Sequence, residues 1–321
     1  VTSSALGLFI ARRLAALAVL LVVVSFGVFA LLYLAPGSIE QILLGTRPAT
    51  PASIAAIRAE YHLDDSFLQQ YWLWLQHAVT FDFGTSVRTG ESVSTVIGDR
   101  LAVTLQLGVL AFAITILTGI PLGILAALRS RSAVDRGVVA TAVAGISSPP
   151  FFTGLLLLYV FAVSLGLFPV FGAGAGLGDR FMHLALPAIT LALTAIAVVV
   201  KLTRASMIQA LEQDFVLAAR ARGLGEGRVV IGYALRNALI PVVTSGGLIL
   251  GYMLTGTVLV EQTFALPGVG SLLIDAVGYK DIPVVQGIAM LATVVVVLAN
   301  LVADVLYIVI DPRLRFGRAQ T

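Results

Sequence analysis

The chain has 321 residues, 59% of them hydrophobic and only 12% charged, with a mean hydropathy of +1.01. A soluble domain carries about twice that charged fraction, so most of this surface must face lipid. The absence of cysteine excludes disulfides, thiol catalysis and cysteine-ligated metals.

A helix needs about 20 apolar residues to cross ~30 Å of hydrocarbon, and six stretches qualify. The first, Leu14 to Ala35, follows Arg12-Arg13 and stops at Pro36-Gly37. It is too long for a signal-peptide core and no clear cleavage site follows, so it reads as an uncleaved helix, giving a first block at 1–35. An outer segment, 36–98, comes next. Within it "TPASIAAIRAEY" predicts a short helix with Thr50 as N-cap and Pro51 in the first turn, and "SFLQQYWLWLQHAV" predicts a second one bearing Tyr71, Trp72 and Trp74. Such aromatics suit the headgroup level. Contact with a substrate or a delivering protein is the other reading of this segment.

A core block, 99–310, holds the remaining five spans, at about 101–128, 138–165, 181–201, 237–260 and 282–310. The second span is uncharged and contains Gly119-Ile120-Pro121, where proline removes a backbone hydrogen bond and loosens the helix. The third is broken by Ser147-Ser148-Pro149-Pro150, which frees carbonyls that need partners or water. "GAGAGLG" at Gly172 to Gly178 is a loop. The fourth span is closed by Lys201. The fifth carries Thr244-Ser245-Gly246-Gly247, small enough for close helix packing. The sixth contains Asn300 and Asp304 and leads into a tail, 311–321. Pro121, Ser147, Ser148, Pro149, Thr244, Ser245, Asn300 and Asp304 are therefore candidate pathway or gating residues, with plain packing as the alternative for each.

Six spans put both termini on one side. With the N-terminus inside, 14 of the 20 lysines and arginines fall on inner segments, as the positive-inside bias requires. The inner segment 202–236 is the polar one. "LTRASMIQALEQDFVLAARAR" predicts one continuous helix, Gly223 ends it, "GLGEG" turns, and "RVVIGYALRNALI" restarts a helix that runs into Pro241. A helical pair projecting into the cytoplasm with arginines at its tip suits a soluble partner or lipid headgroups, and charge alone leaves both open.

Several chemistries are missing. No G-x-x-x-x-G-K-[ST] is present, so the chain has no P-loop for ATP. "DFG" at Asp82 to Gly84 lacks every other kinase element. His62, His77 and His183 are isolated, and no protease motif exists, so the sequence offers no catalytic, cofactor or metal residues. Ionisable residues in the spans lie near their ends, whereas an ion-coupled transporter is expected to hold carboxylates near the midplane.

The stretch from Leu217 to Pro241 resembles the cytoplasmic loop of ABC importer permeases, E-A-A-x3-G-x9-I-x-L-P. Ala218-Ala219, Gly223 and Tyr233-x-Leu235 keep its spacing, while Leu217 replaces the glutamate and Arg236 the proline. "RNALIP", the first helix, "SSPPFFTGLLLLYVFAVSLGLFPVFG" and above all "VEQTFALPGVGSLLIDAVGYKDIPVVQG" are similar to the oligopeptide/dipeptide/nickel branch, and the long outer segment to its B-type permease. The resemblance covers nearly the whole chain. It implies an all-α integral membrane protein of the type I importer permease fold, with six transmembrane helices, cytoplasmic termini and a cytoplasmic coupling helix.

It also implies a place in the inner membrane of a bacterium, a second homologous permease, two cytoplasmic ABC ATPases (or one fused) that hold ATP and magnesium, and an extracytoplasmic binding protein that delivers peptide. Phe215, Ala218, Ala219, Arg220, Arg222, Gly223 and Leu224 would couple the chain to the ATPase. No role for nucleic acid follows. A nickel-chelate permease of the same branch, an ion-coupled secondary transporter and a membrane scaffold remain the alternatives.

Overall fold

A computed structural model describes residues 3–45 and 47–310; the tail expected at 311–321 lies outside them, with Arg313, Arg315 and Arg318. Among the described residues there is no β-strand, only an isolated antiparallel bridge between Thr85 and Ser92. The helices in order are α1 (Ser3–Leu34), α2 (Ile39–Leu44), α3 (Pro51–Glu60), α4 (Phe67–Val79), α5 (Val93–Leu128), α6 (Ala133–Ser147) and α7 (Pro150–Leu157), which continues as a π-helical turn (Leu158–Ser164). Next come α8 (Leu177–Leu211), α9 (Asp214–Ala221), α10 (Glu226–Arg228), a second π-helical turn (Val229–Leu235), α11 (Arg236–Thr244), α12 (Gly246–Thr263), α13 (Val269–Gly278) and α14 (Ile282–Ile310). Among the described residues four helices are long and apolar enough to cross a membrane, and the count rises to six if each of two bent helix pairs is one span.

The chain divides into two units, Val1–Thr104 with Pro267–Val297, and Leu105–Leu266 with Leu298–Thr321. In the first, α3 starts as the sequence predicts: the Thr50 hydroxyl accepts from the Ser53 amide, and Pro51 occupies the first turn. α4 packs on α1 through rings rather than lying free. Tyr71 meets Phe26 and Phe29 at centroid distances of 5.2 and 5.6 Å, and Trp74 meets Phe29 at 5.6 Å. Only Trp72 of the three expected interfacial aromatics is left exposed, since the other two gain more from packing against Phe29.

Buried polar groups tie this unit together. The Gln286 side-chain amide of α14 donates to the carbonyls of Val28 and Phe29 on α1, at 3.1 and 3.4 Å. Asp281, at the N-terminus of α14, accepts from the Ser86 hydroxyl at 2.6 Å and from the amides of Val87 and Arg88 at 3.1 and 3.3 Å. Three donors on one buried carboxylate replace the water it loses.

In the second unit α8 is the central element. Of its apolar window 72% is buried, against 22% for that of α1. Gly119 and Gly123 of α5 lie against Val199 and Thr203 of α8, so close that a Cβ on Gly123 would fall 2.6 Å from the Thr203 Cβ. α6 is fastened to α8 by Asp135, which accepts from the Arg131 amide and pairs with Arg204.

α5 passes through Pro121 without ending, because one missing donor in a long helix can be offset by the surrounding ladder. Three expectations need correction. Lys201 does not close the fourth span: α8 continues to Leu211, since an exposed charge alone does not stop a helix and neither glycine nor proline occurs there. The fifth span is not one helix but bends by 55° between Glu226–Thr244 and Ile249–Thr263. The inner helix predicted to be continuous breaks at Glu212-Gln213, where Gln213 is extended (φ −77°, ψ 149°). That redirection buries Val216 and Ala219, so tertiary burial overrides a propensity that favours one helix. The break expected at Ser147 to Pro150 is present, with 106° between Ala133–Ser147 and Pro150–Ser164.

Candidate functional site

The site is the knuckle formed by α9 and the turn after it. Val216 and Ala219 share a core with Met207 of α8, Ala127 of α5 and Val229 and Val230 of the second π-helical turn, and Phe215 and Leu224 pack against that core from the side. Gly223 closes α9 with φ +76°. Its amide donates to the Arg220 carbonyl at 2.9 Å, and the Leu224 amide donates to the Ala219 carbonyl at 3.3 Å. This pair of bonds, with an apolar contact between the flanking residues, is a glycine-dependent helix stop.

The candidate coupling residues therefore divide by face. Phe215, Ala219 and Leu224 brace the knuckle from within, whereas Ala218, Arg220, Arg222 and Gly223 are exposed. Arg220 is not a free tip charge: Nε and Nη2 donate to the two Glu226 carboxylate oxygens at 2.9 and 3.1 Å, across the turn. Leu217 is a residue that sequence reasoning passed over. It stands where the motif has glutamate, and it is 54% exposed in the middle of the outward face. A large apolar side chain held out by a helix that buries Val216 and Ala219 is the signal that could have found it.

The candidate pathway residues are spread over α5, the α6–α7 and α11–α12 junctions and α14. Ser147, Ser148 and Pro149 mark the bend between α6 and α7, and Thr244 and Ser245 mark the bend between α11 and α12. The Ser147 hydroxyl donates to the Val143 carbonyl at 2.9 Å, and that of Thr244 to the Ile240 carbonyl at 3.1 Å, so both are satisfied within their own helices. Pro121 lies exposed on α5. Asn300 and Asp304 lie one turn apart on α14, each partly buried. Among the described residues no group of histidine and carboxylate side chains could hold a metal ion. His183 has its Nδ1 2.9 Å from the Asp179 carbonyl oxygen one turn back.

Two family descriptions match the chain: binding-protein-dependent transport system inner membrane component over residues 119–316, and the N-terminal region of such membrane components over residues 6–108. Among curated relatives, the probable peptide ABC transporter permease protein y4tP of Sinorhizobium fredii is 36% identical over 97% of this chain and 100% of its own. The glutathione transport system permease protein GsiC of Salmonella typhimurium is 38% identical over 96% of this chain and 99% of its own. A putative peptide transport system permease protein of Brucella abortus is 38% identical over 96% and 98%. Among solved structures, a chain of the MetNI methionine ABC transporter in an inward-facing conformation shares the fold with a TM-score of 0.57 and 16% identity, over 67% of this chain and 96% of that one. An amino acid ABC transporter gives a TM-score of 0.51 at 19% identity, over 67% and 94%.

Proposed function

The chain belongs to the family of binding-protein-dependent transport system inner membrane components, and from that premise we propose that it is the B-type permease of an ATP-driven importer of short peptides. It forms part of the path across the bacterial inner membrane, beside a second, homologous permease. Two ABC ATPases bind ATP and magnesium on the cytoplasmic side, and a binding protein delivers peptide from outside. Both termini of this chain are cytoplasmic.

The observation that carries this reading is the α9 knuckle. It is an eight-residue helix braced from behind by Val216 and Ala219, stopped by Gly223, and presenting Leu217, Ala218 and Arg222 outward. A rigid tip with a small apolar face can transmit a push from a partner whose own shape changes with nucleotide, biasing the spans between two states. The relatives named for peptide and glutathione transport support a peptide substrate.

The test is reconstitution of this chain with its second permease, ATPases and binding protein in proteoliposomes. ATP hydrolysis and uptake should both rise with peptide, and neither should respond to nickel chelates. Uptake that survives ATP depletion but collapses with the proton gradient would refute the proposal.

A further inference from the structure

Within the first unit lies a cavity of about 260 Å³. That exceeds the roughly 150 Å³ that accommodates a benzene ring and approaches the ~300 Å³ at which small-molecule pockets begin. Its wall combines two chemistries. Phe29, Leu43, Leu73, Trp74 and Phe83 form an apolar floor, while Glu60 and Asp82 bring carboxylates to it, and neither lysine nor arginine lines it.

The two carboxylates differ in what they already hold. Asp82 accepts from the Gly84 amide at 3.0 Å and lies 3.2 Å from His77 Nδ1. Arg58, close to Glu60 in sequence, is instead engaged by Glu40 and Asp64 at 3.5 and 3.4 Å. Glu60 itself has no hydrogen bond or ion pair among the described residues. Burial, reinforced by the charge of Glu60, pushes the Tyr61 phenol above its ordinary range, so the hydroxyl beside Glu60 stays neutral. An apolar floor beneath a negative rim, where His62 and His77 are the basic side chains and His77 already faces Asp82, favours a molecule that is apolar at one end and cationic at the other.

We propose that this cavity binds the N-terminus of a peptide, with the free ammonium at Glu60 and Asp82 and the first apolar side chain against Trp74 and Phe83. The proposal rests on the peptide-import reading and adds a binding site on this chain, walled by α1, the segment between α1 and α5, and the start of α14. It predicts a preference for peptides with a free N-terminus and a bulky first residue, because an acylated N-terminus has no charge to offer and would leave the carboxylates without a partner.

Trp74 supplies the readout. The chain has two tryptophans, so Trp72→Phe, at a 59% exposed position, leaves Trp74 as the single reporter in the full-length chain held in lipid nanodiscs. Dileucine should shift Trp74 emission saturably, and N-acetyl-dileucine should bind at least about tenfold more weakly, as expected for loss of a charge-assisted contact. Glu60→Gln, a change at an exposed side chain, should weaken dileucine about tenfold and leave the acetylated peptide unchanged. No saturable shift, or equal affinity for the two peptides, overturns the proposal. Peptide-stimulated ATP hydrolysis of the reconstituted complex separates this site from the reading beneath it. Hydrolysis that responds to dileucine while Trp74 does not removes the site alone, whereas a responding Trp74 with unresponsive hydrolysis upholds the site and removes the import reading.

Discussion

Arg204 grips Asp135 with two parallel hydrogen bonds, Nε to Oδ1 at 2.5 Å and Nη2 to Oδ2 at 2.7 Å. The aspartate side chain is 5% exposed and the arginine 29%. Removing either partner strands a desolvated charge. Arg204→Ala is expected to cost about 2 kcal/mol, below the range for fully buried pairs because the guanidinium keeps some water. The double variant with Asp135→Ala should lose less than the two single variants together, as read from thermal unfolding in detergent. Strictly additive losses would show that the two side chains do not act as a pair.

Asp281 and Ser86 make a second such test. Asp281→Ala leaves the Ser86 hydroxyl and two loop amides without their acceptor and should destabilise by about 2–4 kcal/mol. Ser86→Ala removes two bonds, the one its hydroxyl donates to Asp281 and the one it accepts from the Thr89 amide, and should cost about 1–2 kcal/mol. Limited proteolysis between Gly84 and Ser92 should accelerate more in the first variant than in the second.

Neighbouring alanines on α9 should behave differently. Ala219 is 4% exposed, so Ala219→Leu overpacks the core behind the knuckle and should lower the unfolding temperature by the equivalent of about 1–3 kcal/mol. Ala218→Trp should leave that temperature unchanged, since Ala218 is exposed, yet abolish peptide-stimulated ATP hydrolysis. Leu217→Asp should act like Ala218→Trp. Normal stimulation in both exposed variants would remove the knuckle from the coupling path.

Glycine replacements separate close contacts from open space. Gly45 has φ +59°, and a Cβ there would fall 2.2 Å from Val87 Cγ1. Gly45→Ala should therefore destabilise by at least about 2 kcal/mol, through the left-handed backbone and the clash together. Gly98 lies inside α5, and nothing is within 4 Å of its Cβ position, so Gly98→Ala should stabilise by about 0.5–1 kcal/mol. Chemical denaturation of the two proteins side by side decides it.

Thr203 faces Gly123 across the α5 and α8 contact, and its Oγ1 is buried with no hydrogen-bond partner among the described residues. Thr203→Val keeps the shape and deletes the unsatisfied atom. It should hold or raise the unfolding temperature, by up to about 1–3 kcal/mol in stability. A marked loss would indicate that the hydroxyl is engaged after all.

The apolar runs made the long helices legible in the sequence, and turn chemistry made their stops legible. Thr50-Pro51 caps α3, Gly223 stops α9, and Ser147 to Pro150 breaks the chain, each because a local backbone requirement selects those residue types. Long-range partners left no such mark. Nothing near Arg204 in sequence points to Asp135, because their pairing depends on how α6 lies along α8. The break at Gln213 was hidden for the same reason: no local residue forces it, and only the core that receives Val216 and Ala219 does. Motif spacing located the knuckle, but it could not say that Ala219 turns inward and Leu217 outward, since that follows from the break.

α8 has 35 residues, and at 1.5 Å each it is about 52 Å long, roughly 20 Å more than a hydrocarbon layer requires. A bar of that length acts as a lever. Pivoted near its middle, a tilt of about 10° sweeps each end through about 5 Å, a large step for a packed interface. Because Met207 near one end shares its core with α9, a displacement of the knuckle would be carried to the far end of the bar rather than absorbed where it lands.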